Sequence, residues 1–284
     1  MSKVYIRAIF IVEGSEDANI YPIVFYPHTR FTNPIYCPDP NIPRWRNIIY
    51  VVSGRDHGES ISFSPAGGKS NIRNYLNAQK SELESIIEYF VIRGEEHALL
   101  QWDCYLPKSH KKGKLKVYVK RPLHYVVLVE SLTKISELYE EIIHIINDLV
   151  RDIKQRYSIE SYQIDRESNE NYVHGGIVVK GGLKELIHFR AHVIKGCLDE
   201  IIYEIIGNEA QSLLDIIKRF CSHCRGEKMW KCYSNILRVI RTCTCSYREH
   251  AKYINNTLNH INNEIYKEIM DKYGLNKIMD IIVA

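Results

Sequence analysis

The sequence predicts an α+β protein: an N-terminal mixed α/β or β-rich domain over residues 1–125, then an all-helical bundle over residues 126–284 with a C-terminal helical extension. Three observations lead there. The first part holds short β-branched or aromatic runs bounded by Gly, Pro, Asp or Lys. From Val126 the apolar residues fall into longer stripes at helical spacing. The connections between those stripes are short, as in helical bundles.

The elements follow in order. VYIRAIFIVEG, NIIYVVSG, HALLQWDCY, LKVYVK and HYVVLVE are the candidate strands. Pro34, Pro38, Pro40 and Pro43 make residues 29–43 a loop or an edge excursion. SFSPAGGKS is turn-rich; its Gly67–Gly68–Lys69–Ser70 lacks the first glycine of a phosphate loop and reads as a turn. Residues 71–93 read as one helix, with Ile72, Tyr75, Leu76, Leu83, Ile86, Ile87 and Phe90 on one face. A long helix carries Ile135, Leu138, Tyr139, Ile142, Ile146, Leu149 and Ile153. A second bundle helix is expected to end near His174, where Gly175–Gly176 would stop it. A third covers residues 183–206, a fourth starts near Asn208, a fifth runs over 233–240, and the last carries Tyr253, Leu258, Ile261, Ile265, Ile269 and Met270.

Composition narrows the function. A hydrophobic fraction of 45% and a charged fraction of 25% are those of a globular protein with a core. No apolar run approaches the roughly 20 residues of a membrane-spanning helix, and the N-terminal apolar run lacks a small-residue cleavage site, so the expected compartment is the cytoplasm. Net charge is only +4, but the cations cluster. Residues 108–121 hold seven Lys/Arg, among them Lys111, Lys112, Lys114, Lys116 and Lys120, and no acid. Residues 218–252 hold nine against Glu227 and Glu249. Such patches suit a polyanion, nucleic acid above all, or are simply solvated surface.

The stretch YQIDRESNENYVHGGI, residues 162–177, joins Arg166, Ser168, Asn169 and Asn171 to His174. An imidazole beside a guanidinium and amide donors is suited to breaking a phosphodiester without a metal. The same residues also make a plain helix end, with Arg166 and Glu170 paired at i,i+4 and His174 before a glycine cap. The order HYVVLVESL, long helix, YQIDRESNENYVHGG, then GLKELIHF resembles the HEPN superfamily of helical ribonucleases over about residues 124–207. Arg166 stands eight residues before His174, further than that family's spacing of four to six. The resemblance implies metal-independent RNA cleavage in antiviral defence or stress response. His174 would be the acid or base, Arg166 would steady the phosphorane and Asn169 orient the phosphate, in a homodimer. The N-terminal domain would then sense a small ligand or bind a protein partner. The alternative is a non-catalytic nucleic-acid-binding or assembly subunit.

Two further groups carry metal-site expectations. Cys221, Cys224, Cys243 and Cys245 can surround a structural zinc. Cys221 and Cys224 equally fit the core face of a helix, and a Cys221–Cys245 disulfide is a third option. Arg225, Lys228 and Lys231, interleaved with Trp230 and Tyr233, would grip phosphates and stack bases. Cys37, Cys104 and Cys197 read as small buried hydrophobes. IFIVEGSEDANIYPIVF resembles the first motif of Toprim nucleases, which implies a Mg²⁺ ligand role for Glu13 and Asp17, with Asp103 the candidate for the second motif.

Overall fold

The computed structural model describes residues 3–25, 34–38, 46–52, 59–105, 114–198, 200, 201, 204 and 263–283. In chain order they form β1 (Lys3–Val12), α1 (Ser15–Val24), β2 (Ile35–Pro38), β3 (Arg46–Val51), β4 (Glu59–Pro65), α2 (Ile72–Ala78), α3 (Lys80–Val91), β5 (His97–Tyr105), β6 (Lys114–Ser131), α4 (Ile135–Lys154), β7 (Glu160–Ser168), β8 (Tyr172–Gly181), β9 (Lys184–Lys195), α5 (Asn263–Lys272) and α6 (Leu275–Val283). A short 3₁₀ turn, Lys69–Asn71, precedes α2.

All nine strands share one mixed sheet in the order β1-β4-β3-β2-β5-β6-β9-β8-β7, and β6 also pairs with β1. β6 makes this possible by its length. Its first half pairs with β5, its second half with β9, and β1 runs parallel beside both halves. The pairing of β2 with β5 is held by the Cys37–Cys104 disulfide, so these two cysteines are a cross-link and not the separate thiols expected of them. Cross-linking residues 67 apart constrains the unfolded chain by about 4 kcal/mol.

Helices cover both faces, as a sheet with two apolar sides requires. On the first face lie α2, α3 and α4, with Leu76, Ile87, Phe90, Ile142, Ile146 and Leu149 packed on Ile6, Ile9, Val117, Val127, Ile177 and Phe189. On the second lie α1, α5 and α6, with Tyr21, Phe25, Tyr266, Met270 and Ile278 packed on Ala8, Phe10, Phe63, Val126 and Leu128. Alternation along each strand sorts the two sets.

The all-helical bundle is therefore a correction. Residues 160–195, where two bundle helices were expected, are three antiparallel strands that extend the sheet. The physical reason lies in two signals. Val173, Ile177, Val178, Val179, Ile187 and Val193 are β-branched and bury best on a pleated surface. Gly175 and Gly176 stop no helix; they sit inside β8, where a side chain at Gly175 would collide with the Tyr139 hydroxyl and one at Gly176 with the Phe189 carbonyl. The expected helix over 71–93 is present but divided at Gln79, and the long helix from Ile135 is present as α4. Residue 125, the expected domain boundary, lies within β6. The helices expected between 208 and 261 fall outside the described residues.

Candidate nucleic-acid interface

Along the second face the character of the side chains changes from one end to the other. At the start of β1 and β6, Val4, Ile6, Val117 and Val119 turn into the first core. Alternation then sends Lys3, Tyr5, Lys116, Tyr118 and Lys120 to the second face. The register sets Lys3 beside Lys116 and Tyr5 beside Tyr118, while His97 of β5 pairs with Lys120. Tyr5 and Tyr118 stack with ring centroids 5.4 Å apart, His97 meets Tyr5 edge-on at 4.8 Å, and the Lys3 ammonium sits 5.9 Å from the Tyr118 ring centre. Lys3, Lys116 and Lys120 are exposed and the three rings half-buried. Lys120 pairs with Glu59, which also receives Arg7, whereas Lys3 and Lys116 meet no carboxylate among the described residues. Two of the sequence-predicted nucleic-acid residues, Lys116 and Lys120, are thus brought together around an aromatic pair. Lys114 opens the same strand. Lys111, Lys112, Arg225, Lys228 and Lys231 lie outside the described residues.

Further along the same face come five titratable side chains from adjacent strands. His124 of β6 stands opposite His188 of β9, and His192 of β9 opposite His174 of β8, with Arg190 between. The inner pair forms a closed hydrogen-bond chain. His192 Nε2 lies 2.9 Å from the Tyr273 carbonyl, which only accepts, so Nε2 carries the hydrogen. His192 Nδ1 then accepts from His174 Nδ1 at 3.2 Å, and His174 Nε2 accepts from the Arg190 guanidinium at 3.4 Å. Both imidazoles are neutral in this chain. Burial first, then Arg190 and Lys277, lowers the pKa of His174 to about 4, and burial with His174 lowers that of His192 to about 3.

The outer group is not closed in this way. His188 Nε2 meets Glu185 Oε2 at 2.8 Å, and Glu185 also receives the Tyr162 hydroxyl. The rings of His124 and His188 meet edge to face at 4.8 Å. Yet His124 Nδ1, His188 Nδ1 and Arg190 Nε are buried without a hydrogen-bond partner. Burial, then His188, Arg190 and Arg7, lowers the pKa of His124 to about 3, and burial also lowers that of His188.

The expected Arg166–His174 pairing does not form within this chain. Arg166, on β7, turns to the first face, where it pairs with Glu140 of α4 and lies 5.2 Å from the Tyr139 ring centre. His174 is 4% exposed and turns to the other face. Asn169 is a turn residue: its Oδ1 accepts the Asn171 and Tyr172 backbone N–H groups in the β7–β8 hairpin. The guanidinium that does meet His174 is that of Arg190. His188, Arg190 and His192 could have been found from the sequence, because IHFRAHV alternates polar and apolar residues with the period of a strand.

A third polar group gathers at the opposite end of the sheet, where β1, β4, β6 and β9 end. Glu13 Oε1 accepts the Glu130 N–H at 2.9 Å and lies 3.6 Å from Lys69 Nζ; Asp17 caps α1 through the Gly14 N–H. Glu130 accepts the Tyr21 hydroxyl and the Leu198 N–H. Burial, then Asp17 and Glu13, raises its pKa well above the carboxylate range. Asp103 lies near the other end of the sheet, on β5 beside the start of β6, so it does not complete a set with Glu13. Among the described residues no three His, Cys, Asp or Glu side chains are placed to hold a metal ion. The zinc-candidate cysteines Cys221, Cys224, Cys243 and Cys245 lie outside those residues. No helix among them is long and apolar enough to cross a membrane.

Compared with known proteins, the chain matches no family model, no curated protein and no solved structure.

Proposed function

We propose that this chain binds single-stranded nucleic acid on the open part of its second sheet face. The observation that carries the reading is the Tyr5–Tyr118 stack with Lys3, Lys116, Lys120 and His97 around it. Aromatic rings give bases a surface to stack on, and ammonium groups on the same strands track the phosphates between them. Stacking uses the base faces, which RNA and DNA share, so the class assigned is single-stranded nucleic acid, RNA included. A β-strand rises about 3.3 Å per residue, so Lys116 and Lys120, four residues apart on β6, stand about 13 Å apart with Tyr118 midway between them, about two phosphate spacings of an extended strand. Cleavage is not part of this reading, because the His174 imidazole is committed on both nitrogens.

The test is a titration of a fluorescent single-stranded oligonucleotide at several salt concentrations. Affinity should fall steeply with salt, and replacing Lys116 by Gln should flatten the log–log slope by about 0.7, the effect of one released counterion. Tyr118→Ala should weaken binding by about 1–3 kcal/mol for each base that stacks. Equal affinity and equal slope in all three proteins would remove the assignment.

A further inference from the structure

We propose that the cavity beyond the ends of β6 and β9 binds one free α-amino acid with an aliphatic side chain. It lies past the end of β6, whereas the stacking platform lies at the start of that strand, and it does not depend on the platform.

Topology places the cavity. β6 and β9 are parallel neighbours that end together at Ser131 and Lys195. From β6 the chain passes into α4, which packs on the first face. From β9 it passes to Leu198 and Ile201, which pack on the second. Where the chain leaves two parallel neighbours toward opposite faces, a crevice opens beyond their carboxyl ends, and sheets covered on both sides by helices take their ligands there. The cavity found at this point has a volume of about 320 Å³ and is lined by residues 132–137, Glu170 and Lys195. That is the small end of the range for ligand sites, so the occupant is a small molecule. Backbone bonds fix the walls. The Gly196 N–H donates to the Ser131 carbonyl. The Lys195 N–H donates to the Asn171 carbonyl, which ties the β7–β8 hairpin, and Glu170 with it, to the end of β9.

The charges select the ligand. The lining holds two lysines and two glutamates and is neutral as a set. Lys134 and Glu137 pair with each other at 2.8 Å. Glu170 and Lys195 form no ion pair, with each other or with any other group among the described residues; Lys195 acts on the Glu200 carboxyl only at longer range. The hydroxyls of Thr133 and Ser136 make no hydrogen bond among the described residues either. All four of these residues are exposed, so their polar atoms are open to a ligand from solvent.

An ion of either sign would meet its own charge on part of this lining. A zwitterion would not: its ammonium donates to Glu170, and its carboxylate accepts from Lys195 and from the two hydroxyls. A free α-amino acid carries both charges on one carbon, whereas a peptide end carries only one of them. Leu132, 42% exposed, and the half-buried Ile135 give the lining an apolar part, which an aliphatic side chain covers with a gain from burial.

The test is calorimetric titration of the full chain with L-leucine, with the matching α-keto acid, which lacks the ammonium, and with isoamylamine, which lacks the carboxylate. Methyl spectra recorded beside it locate the binding. Leucine should bind at least about tenfold more tightly than either analogue, the effect of one charged hydrogen bond, and should shift the Leu132 and Ile135 methyl signals. Glu170→Gln and Lys195→Gln should each weaken leucine by about tenfold. Glu170→Gln should also remove the preference over the keto acid, and Lys195→Gln the preference over the amine, which a merely unfolded variant would not do selectively. Tyr118→Ala should bind leucine normally, which separates this site from the platform. Keto acid binding as tightly as leucine would make this an anion site, and amine binding as tightly would make it a cation site. Either result, or unmoved Leu132 and Ile135 signals, would overturn the proposal.

Discussion

The two histidine pairs on the second face use the same strands and the same residue types, yet they differ in how their nitrogens are used. His174 and His192 form a closed chain from the Arg190 guanidinium to the Tyr273 carbonyl, with every ring nitrogen engaged. His124 and His188, one step back along the sheet, each leave Nδ1 without a partner. The first arrangement is what a polar group inside a core needs in order to be tolerated. The second leaves two buried ring nitrogens unpaired, which costs stability. A histidine's place in a strand thus says little about its task; the count of satisfied nitrogens says more.

The sharpest way to break the comparison is to open the closed pair. His192→Ala removes the group between the buried His174 ring and the Tyr273 carbonyl and leaves a void. Urea unfolding should show a loss of roughly 3 kcal/mol. His124→Ala, which removes no satisfied bond, should lose clearly less, within about 1–2 kcal/mol. Equal losses would mean that the two pairs do the same structural work.

Acid should act on the closed pair next. His174 and His192 stay neutral in the fold down to about pH 4 and 3, while the unfolded chain's imidazoles take up protons from their ordinary value of 6.5 downwards. Between those limits the unfolded state binds more protons, so stability rises with pH. The contribution is therefore complete above pH 6.5 and is lost progressively as the pH falls toward 4. Unfolding curves for wild type and a His174→Gln, His192→Gln double variant should converge as the pH drops through this window. Parallel curves would mean that the pair titrates normally.

The smallest effect is expected at Arg166. Its ion pair with Glu140 is a surface contact between side chains 41% and 59% exposed, worth about 0–1 kcal/mol. Arg166→Ala should leave both stability within that range and oligonucleotide affinity unchanged, as anisotropy titration would show.

These contrasts also explain what was legible in the sequence. Of the strands in residues 1–125, β1, β3, β5 and β6 were, because runs such as Lys3–Val12 are rich in β-branched and aromatic residues; β2 and β4 were not, because the prolines of residues 29–43 and the turn-rich SFSPAGGKS concealed them. α4 was, because its twenty residues carry one apolar stripe. β7 to β9 were not. His174 followed by two glycines reads as a helix end when sequence neighbours alone are considered, and the cause of those glycines, Tyr139 and the Phe189 backbone, is distant in the chain. The Cys37–Cys104 bond was hidden for the same reason. Lys116 and Lys120 were visible as charges, but the ring stack between them needed Tyr5 from a strand over a hundred residues earlier.

The most direct test of the platform is photo-crosslinking of a thiouridine-substituted single-stranded RNA to the full chain, with the adducts mapped by mass spectrometry. Adducts on Tyr5, His97 and Tyr118 are the expected result. Adducts confined to the first face, on α4 or around Arg166 of β7, would contradict the account.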